Sequence, residues 1–395
     1  MKYLILIPDG LADEPEVFAD EQTPLAIANT PALDWLGQHG RCGLAHLGTD
    51  SGIFAPEADL LMLLGFDPEE SPLAAGPVKA VGLGVDLPED TTVACAAFVT
   101  IADGVLVDPL GGGLTDRENA ALISEINPII EPLGCQLVAD RNGDHLLISD
   151  SPLSFSVPHP LAATGMPIAN CQPKGKDARR IAQLLELIST FLRDHEINAV
   201  RRDLGESPAT DLWLWSPGVH CSLPPFPMTF GIEAASVGYD PLFLGLSRQV
   251  GLTTEELMLG NAGVNENVLR QLAASTRSQL DRHDLVCLHL DTPMRAAING
   301  STLAKTHAIE AFDQLVVGPL VEAMRGYDQW RILVVPSFST SCGSRRVLSE
   351  PSPFVIAGEG IEVILHQPYT EAAAINADMH VDHGQELMEY FLTIH

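Results

Sequence analysis

The sequence is short of positive charge. Its 22 Lys and Arg residues stand against 52 Asp and Glu residues, which gives a formal net charge of −30 at pH 7. Such a charge repels the phosphate backbone of nucleic acids and the surface of anionic membranes. The composition therefore argues against both classes of partner. An anionic substrate would be held only where positive groups or metal ions are collected locally.

The sequence also lacks paired cysteines and long apolar runs. Its seven cysteines are scattered and form no C-x-x-C pair, which is typical of reduced thiols in a cytoplasmic protein rather than of a disulfide framework or a zinc cluster. No run reaches the ~18 apolar residues of a membrane-spanning helix. The apolar N-terminus is too short for a signal peptide. We expect a cytoplasmic protein.

Apolar residues are plentiful, and the first of them form the stretch on which the fold prediction rests. Hydrophobic residues make up 46% of the chain and the mean hydropathy is +0.15, so a sizeable core can be buried. Tyr3 to Ile7 is an unbroken apolar run, typical of a strand buried on both faces of a parallel sheet. Pro8 and Gly10 end the strand and leave Asp9 at its carboxyl end, where open α/β sheets bind ligands. A carboxylate there is a natural metal ligand, although it can equally cap the next turn.

The rest of the chain predicts a core interrupted by an insertion. Three further buried-strand candidates follow in the second half, at 230–236, 285–290 and 332–335. They are separated by helical segments, which predicts a doubly wound, mostly parallel α/β sheet. From about residue 72 to 183, short strands alternate with turns, as in an α+β domain with an antiparallel sheet. We therefore predict a core of residues 1–71 and 184–395 and an inserted cap domain of residues 72–183.

Several motifs resemble one known family in both order and spacing. They are Pro8-Asp9-Gly10, Thr23-Pro24-Leu25, Ala28-Asn29-Thr30-Pro31, Leu64-Gly65-Phe66-Asp67-Pro68, Gly76-Pro77-Val78-Lys79-Ala80, Trp213-Leu214-Trp215, Lys305 with Ala308-Ile309-Glu310, and Arg331 to Val335. Over nearly the whole chain, they resemble the archaeal-type 2,3-bisphosphoglycerate-independent phosphoglycerate mutases. That family belongs to the alkaline phosphatase superfamily, which implies an alkaline-phosphatase-like core split by a smaller domain.

The resemblance also implies a chemistry. Active members of the family use two divalent metal ions, usually manganese, zinc or magnesium. The metals activate a serine nucleophile and hold the phosphoryl oxygens, while arginines of the inserted domain clamp the substrate. Catalysis of this kind depends on positioning, charge neutralisation and an activated nucleophile.

At the nucleophile position, this sequence has a proline. Aligning the family motif on Leu64–Pro68 places Pro56 where the serine is expected, and proline has no nucleophilic atom. Ser51 lies nearby, but its use would need a five-residue shift in register, whereas catalytic geometry tolerates about 1 Å. We expect no catalytic residue here.

The metal-ligand positions are substituted as well. In the motif after the strand at 285–290, Met294 replaces the expected aspartate and Ile298 the expected histidine, while His289 and Asp291 match outer positions. In the next motif Ser337 and Phe338 replace two ligands, and Leu348 replaces the last histidine. Only Asp9 matches a family ligand. One carboxylate is too few, because zinc sites need three or four ligands and harder ions six or more.

The inserted domain differs from the family in its basic side chains. The family's Gly-Arg-Gly-Pro-Leu-Glu-Ala becomes 74–80 here, without the arginine. His159, Arg201 and Arg202 match substrate-binding stretches, so some affinity for an anion is expected to remain. His145 also falls in this domain, where it either lines a cleft or is a satisfied buried histidine.

Two other groups of residues deserve a metal-site hypothesis of their own. Glu57 and Asp59 could hold one weak cation together with Asp9. His380 to His383 contains two histidines and an aspartate, although a solvated loop explains them as well.

These substitutions predict a folded pseudoenzyme of the mutase family, without a cofactor, that binds a small anionic metabolite or a protein partner. The alternative is an active metal-dependent mutase, or a related phosphotransferase, that converts 3-phosphoglycerate to 2-phosphoglycerate with two divalent metals. A third interpretation is a homodimer whose inserted domain serves as an interaction module.

Overall fold

Two units, each built around its own β-sheet, make up the chain. The computed structural model describes residues 1–15, 22–48, 52–88, 90–140, 143–259 and 263–393. One unit, the large unit, comprises Met1–Pro72 and Leu223–His395, and the other, the inserted unit, comprises Leu73–Ser222. No helix within the described ranges is both long and apolar enough to cross a membrane.

The strands alternate with helices along most of the chain. The strands are β1 (Lys2–Pro8), β2 (Gly40–Ala45), β3 (Thr92–Ala102), β4 (Val105–Asp108), β5 (Cys135–Val138), β6 (Asp144–Ser149), β7 (Asp211–Gly218), β8 (Ala234–Gly238), β9 (Thr253–Glu256), β10 (Leu285–Leu290), β11 (Trp330–Val334), β12 (Thr340–Ser341), β13 (Arg346–Val347), β14 (Ser352–Gly358) and β15 (Met379–Val381).

The helices include two of four residues and one of sixteen. They are α1 (Pro24–Ile27), α2 (Pro31–His39), α3 (Pro56–Leu63), α4 (Ala75–Gly82), α5 (Asp116–Ile130), α6 (Pro160–Ala163), α7 (Ala178–Arg193), α8 (Glu196–Asp203), α9 (Phe226–Phe230), α10 (Pro241–Gln249), α11 (Glu266–Leu280), α12 (Thr292–Ile298), α13 (Thr302–Phe312), α14 (Gly318–Met324), α15 (Glu371–Ile375) and α16 (Gln385–Leu392). Short 3-10 helices lie at Glu131–Leu133 and Ile168–Asn170, and Asp313–Val317 forms a π-helical turn between α13 and α14.

The large unit contains an eight-stranded, mostly parallel sheet, as predicted. Its order is β15-β2-β14-β11-β1-β10-β8-β9. β1 runs parallel to both β10 and β11, and β8 continues the parallel side. Only β14 runs antiparallel to its neighbours β11 and β2. Parallel order brings the carboxyl ends of β1, β10 and β11 to one edge of the sheet.

β1 is the central strand, and both of its faces are buried. Leu4 and Leu6 pack into a cluster with apolar residues of α2, α11, α13 and α14. On the opposite face, Tyr3 lies edge-on against Phe391 of α16, with ring centroids 5.4 Å apart. The continuous apolar run in the sequence is therefore the signature of a strand covered on both sides, as predicted.

The inserted unit contains an antiparallel sheet of five strands. Its order is β4-β3-β6-β5, and β7 pairs with β3. One face is covered by α5 and α7, whose residues Leu122, Ile126, Leu184 and Ile188 are buried in one cluster with Phe98 and other residues of the strands. This is the α+β arrangement expected from the alternation of short strands and turns.

The inserted unit extends further along the chain than the sequence pattern indicated. The predicted boundary was residue 183, whereas the compact unit ends at Ser222. The prediction was wrong there because β7, which follows the predicted boundary, supplies the neighbour of β3, with Val99 paired to Asp211 and Val93 to Gly218. A strand that returns after two helices leaves no local signal of the sheet to which it belongs.

A buried arginine ties the C-terminal helix to the sheet. Arg331 on β11 is 1% exposed. Its Nε donates to the carbonyl of Glu359 at 2.7 Å, and Nη1 donates to the carbonyls of Phe391 at 2.8 Å and Thr393 at 2.5 Å. These last carbonyls of α16 form the negative end of the helix dipole, so the guanidinium caps the helix electrostatically as well as by hydrogen bonding.

We expect Arg331→Met to lower the free energy of unfolding by about 3 kcal/mol or more, because it leaves several buried carbonyls without a donor. Urea denaturation measures the loss. Arg270→Met, which removes an exposed ion pair with Glu266, is the control and should change stability by less than about 0.5 kcal/mol. Equal effects of the two substitutions would contradict the capping role.

Asp313 caps α2 from the π-helical turn, and its titration should be visible. Its carboxylate accepts from the backbone N–H of Leu33 at 2.7 Å and of Ala32 at 3.2 Å. Burial raises the pKa of Asp313 to about 6, against the effect of these two N–H groups. The folded protein therefore binds this proton more tightly than the unfolded chain does, so the stability that Asp313 contributes falls as pH rises from about 4 to about 6.

We accordingly expect the stability of the wild type relative to Asp313→Asn to fall by roughly 1–2 kcal/mol between pH 4 and pH 7. Chemical denaturation of both proteins at several pH values tests this. Asp203→Asn at an exposed position is the control. A pH-independent difference between wild type and Asp313→Asn would show that burial does not raise this pKa.

Candidate functional site

Three chain segments that follow adjacent strands meet around Asp9. Asp9 directly follows β1, His289 lies near the end of β10, and Ser337 follows β11. In the parallel register, Ile7 is paired with His289 and Pro8 with Leu290, and the N–H of Asp9 continues this ladder to the carbonyl of Leu290 at 2.9 Å. The sheet therefore places all three side chains at its carboxyl edge.

Both carboxylate oxygens of Asp9 are engaged by the protein itself. Oδ2 lies 2.8 Å from Nε2 of His289, and Oδ1 accepts from the backbone N–H of Ser337 at 3.0 Å and from its hydroxyl at 2.5 Å. Asp9 is 5% exposed and His289 is 2% exposed. The carboxylate thus sits in a closed set of donors, away from solvent.

His289 supplies the positive charge at this point. Burial lowers its pKa, but the carboxylate of Asp9, with smaller effects of Asp240 and Asp291, outweighs burial and raises the pKa of His289 to about 9. Its ring stacks on Phe243 with centroids 4.9 Å apart. Nδ1, the other ring nitrogen, is buried and has no hydrogen-bond partner within the described part of the chain. His289 and Asp9 therefore form a buried ion pair.

Asp291, which follows β10, is also engaged. Its Oδ1 accepts from the hydroxyl of Tyr239 at 2.6 Å and Oδ2 from Nε of Arg295 at 2.7 Å. Burial, together with the negative charge of Asp291, holds the pKa of Tyr239 well above its usual range. Both oxygens of the Asp291 carboxylate are thus hydrogen-bonded to neighbouring side chains.

Of the residues that the sequence analysis assigns to the other family metal positions, Met294 and Phe338 contact the turn after β1 through their backbones. The N–H of Met294 donates to the carbonyl of Asp9 at 3.0 Å, and the carbonyl of Phe338 accepts from Gly10 at 2.9 Å. The ring of Phe338 lies edge-on to Phe54 at 4.9 Å. Ile298 is fully buried, and Leu348 donates its N–H to the carbonyl of Ser339 at 2.9 Å. The contacts that these four residues make are thus backbone hydrogen bonds and apolar packing.

Gly10 shows how tightly this edge is packed. Its φ is +72°, and a Cβ on it would lie 2.5 Å from Cα of Met294 and 2.6 Å from Oγ1 of Thr340. Any larger residue would therefore meet both backbone strain and a steric clash. The turn after β1 fits only because this position is glycine.

α3 brings Pro56 and two acidic residues to the same unit. Pro56 occupies the first position of the helix, and both Glu57 and Asp59 are buried. Burial, with the nearby carboxylates of Glu57 and Asp9, holds the pKa of Asp59 well above its usual range. Ser51, the alternative nucleophile, lies outside the described residues.

The cation site proposed for Asp9, Glu57 and Asp59 does not form. Across the described ranges, no group of three or more His, Cys, Asp or Glu side chains is arranged to hold a metal ion. The same finding applies to His380, Asp382 and His383, and His380 lies on β15 beside β2 rather than on a loop. The donor set therefore does not fit the two-metal centre that the resemblance implies, because Asp9 and the hydroxyl of Ser337 are the only oxygen donors at the positions assigned to metal ligands, and the others carry thioether, aliphatic and phenyl groups.

A second buried cation braces the edge of the sheet. Nζ of Lys305 on α13 donates to the carbonyl of Ala12 at 2.9 Å, to Oδ2 of Asp13 at 2.9 Å and to the carbonyl of Thr340 at 2.7 Å. The side chain is 0% exposed. All three ammonium protons are used, so Lys305 joins the turn after β1 to the segment after β11.

The predicted anion-binding residues of the inserted unit differ in how far they are engaged in contacts within the protein. Arg201 is buried, pairs with Glu118 at 3.1 Å and donates from Nε to the carbonyl of Ser207 at 2.9 Å. Its guanidinium therefore braces the unit rather than presenting itself to an anion. Arg202 is exposed and donates to the carbonyl of Arg193.

The two histidines of this unit have structural contacts. His159 accepts from the N–H of Leu161 at the start of α6 and lies edge-on to Trp215. His145 is fully buried and bonds to Asp140 and Asn119 through its two ring nitrogens. His145 is thus a buried histidine whose two ring nitrogens are both hydrogen-bonded. A role of His159 and Arg202 in binding stays a prediction.

Sequence reasoning missed the two partners of Asp9. His289 and Ser337 were noted only as an outer position and as a lost ligand. The parallel pairing of β1 with β10 was the signal that could have joined His289 to Asp9, since both residues end adjacent strands.

Comparison with known proteins agrees with this fold and with the family suggested by the motifs. The profile of the 2,3-bisphosphoglycerate-independent phosphoglycerate mutases matches residues 37–198. A protein of Geobacter sulfurreducens that carries this name with the qualifier probable is 30% identical over 400 residues, covering 99% of this chain and 100% of the relative. The chain belongs to the 2,3-bisphosphoglycerate-independent phosphoglycerate mutase family. A mutase of Methanothrix thermoacetophila is 29% identical over 393 residues, with 99% and 100% coverage.

Solved structures show the same fold as this phosphoglycerate mutase family member. A protein from Pyrococcus horikoshii superposes with a TM-score of 0.73 at 23% identity, covering 99% of this chain and 96% of that one. The cofactor-independent phosphoglycerate mutase of Thermoplasma acidophilum gives a TM-score of 0.57 at 22% identity, with 99% coverage of both chains.

The Asp9–His289 pair can be measured by a double-mutant cycle. We expect Asp9→Asn and His289→Gln to show a coupling energy of about 1–3 kcal/mol in urea denaturation, because each single change leaves a buried group without its charge partner. The same cycle on the partly exposed pair Arg41–Asp378 is the control and should give less than about 1 kcal/mol. Additive effects at Asp9 and His289 would mean that no pair forms.

Proposed function

We propose that this family member does not catalyse the mutase reaction and acts by binding a metabolite or a protein. The observation that carries the proposal is the closed hydrogen-bond set of Asp9. The carboxylate that matches a family metal ligand is saturated by His289 and Ser337 at 2.8–3.0 Å from its two oxygens. A metal would have to displace these partners from a buried position.

The nucleophile position supports the same proposal. Pro56 is the first residue of α3 and offers no hydroxyl. Phosphoryl transfer through a phosphoserine needs an oxygen nucleophile that a metal or a base can activate. Loss of the nucleophile together with the metal ligands favours a protein that kept the fold and lost the reaction.

The chemistry of a bound partner is constrained by charge. The chain has a formal net charge of −30, which disfavours nucleic acid. A small anionic metabolite would need a basic group beside it, and the exposed Arg202 and the half-buried His159 are the matched residues that remain for this role, since Arg201 is committed to Glu118. The alternative function, an active mutase with two divalent metals, would require a rebuilt ligand set.

Metal content and activity decide between these functions. We expect protein dialysed against Mn²⁺ and Zn²⁺ and then washed to retain well under about one metal ion per chain by mass spectrometry, because one carboxylate is too few ligands. We expect no conversion of 3-phosphoglycerate to 2-phosphoglycerate in a coupled assay. The Geobacter sulfurreducens relative, expressed and washed in the same way, is the matched control.

Two metal ions per chain, or turnover comparable to the relative, would overturn the proposal. Pro56→Ser gives a second test. It restores a hydroxyl at the nucleophile position without restoring a ligand, and we expect it to remain inactive. Activity in Pro56→Ser would show that the metal site is intact and that only the nucleophile was lost.

A further inference from the structure

Two serines of the large unit are buried without a hydrogen bond to their side chains. Ser236 on β8 and Ser247 on α10 are both 0% exposed. Neither hydroxyl has a hydrogen-bond partner among the residues that the structure describes. Burying a hydroxyl without a hydrogen bond destabilises a fold, because the group has lost its bonds to water. Each of these two side chains therefore needs a partner from outside the protein.

Helix α10 packs over the face of β8 that carries Ser236. Alternate residues of a strand share a face, so Ser236 and Gly238 point to the same side of the sheet. A Cβ on Gly238 would lie 3.3 Å from Cδ1 of Phe243 on α10. Phe243 therefore lies directly above Gly238, and this contact fixes the position of the helix on the strand.

The same register brings Ser247 opposite Ser236. Ser247 follows Phe243 by four residues, so it lies on the same face of α10, about 6 Å further along the helix. Ser236 precedes Gly238 by two residues, which is about 6.6 Å back along the strand. The two steps are nearly equal. If the helix runs back along the strand, the two hydroxyls face each other across the layer.

The end of α10 shows that the helix does run back in this direction. Nε of Arg248 donates to the hydroxyl of Thr254 on β9 at 3.2 Å, and Thr254 is the register partner of Ser236 in the parallel pair of β8 and β9. Arg248, the residue after Ser247, thus reaches the strand residue beside Ser236. This contact is independent of Phe243 and gives the same alignment.

The space between the two serines is lined by small, neutral groups. One helical turn earlier, the ring of Phe243 fills the layer between α10 and β8, whereas two serine side chains fill much less of it. Cys287 of β10 is paired with Ser236 in the sheet and is also 0% exposed. Burial raises the pKa of Cys287 to about 12, so its thiol is neutral and acts as a weak donor or acceptor.

We propose that a single water molecule binds between Ser236 and Ser247 and bridges their hydroxyls, with the thiol of Cys287 as a weaker third neighbour. A buried water needs two to four polar partners, and this row provides them. Neutral partners suit water better than an ion, which would need a countercharge. Full burial of all three side chains argues against a larger ligand. The inference does not depend on the proposed function.

The sign of the stability change on removing a hydroxyl tests the proposal. We expect Ser236→Ala and Ser247→Ala each to raise the equilibrium constant of unfolding by about five-fold, because each takes one hydrogen-bond partner from the bound water. Urea denaturation measures both effects. Ser278→Ala, at an exposed position of α11, is the control for Ser247→Ala. It should leave the constant unchanged or lower it by about two-fold, since alanine favours the helix.

The double variant and a crystal structure complete the test. Ser236→Ala combined with Ser247→Ala should raise the unfolding constant by clearly less than the product of the two single effects, because both substitutions act on the same water. A high-resolution crystal structure of the wild type should show one water within hydrogen-bond distance of both hydroxyl oxygens. The structure of the double variant should lack it.

Three results would overturn the proposal. If the site is dry, each alanine variant should be more stable than the wild type, because it removes a buried hydroxyl that has no partner. Effects of the two substitutions that simply multiply would mean that no water is shared. A crystal structure in which the two hydroxyls bond directly to each other, with no water between them, would replace the bridging site by a serine–serine contact.

Discussion

The packing at the carboxyl edge of the large unit's sheet depends on the buried carboxylate of Asp9. It stands at the end of the central strand, 2.8 Å from His289 and 3.0 Å from the backbone N–H of Ser337. A buried carboxylate is tolerated only with a countercharge and with donors for its lone pairs. In the mutase family a metal pair would supply that charge. Here the protein supplies it from the adjacent strand, because β10 runs parallel to β1 and brings a histidine to the same edge.

Two further buried cations are likewise hydrogen-bonded to groups within the protein. Lys305 donates all of its ammonium protons to Ala12, Asp13 and Thr340. Arg331 donates from its guanidinium to a carbonyl at the end of α16. In a chain with so few basic residues, these buried cations are structural braces. Extensive hydrogen bonding of this kind is the condition under which a buried charge stabilises rather than weakens a fold.

The sequence predicted the fold better than the site. The apolar run after Met1 identified the central strand, and the motifs identified the family, because both are local in the chain. The pairing of Asp9 with His289 joins residues 280 positions apart and depends on strand order, which no local pattern contains. The return of β7 to the inserted sheet was missed for the same reason. The sequence analysis assigned Pro56, Met294 and Phe338 to family site positions, but the hydrogen-bond partners of Asp9 were visible only in the structure.

The two units have followed different physical constraints. At the edge of the large unit, His289 pairs with the charge of Asp9, and Met294 and Phe338 pack beside the turn that follows β1. In the inserted unit, β7 has no strand beyond it within the described residues, yet Leu212 to Trp215 are buried, so other parts of the unit cover this edge of the sheet, as an edge strand requires.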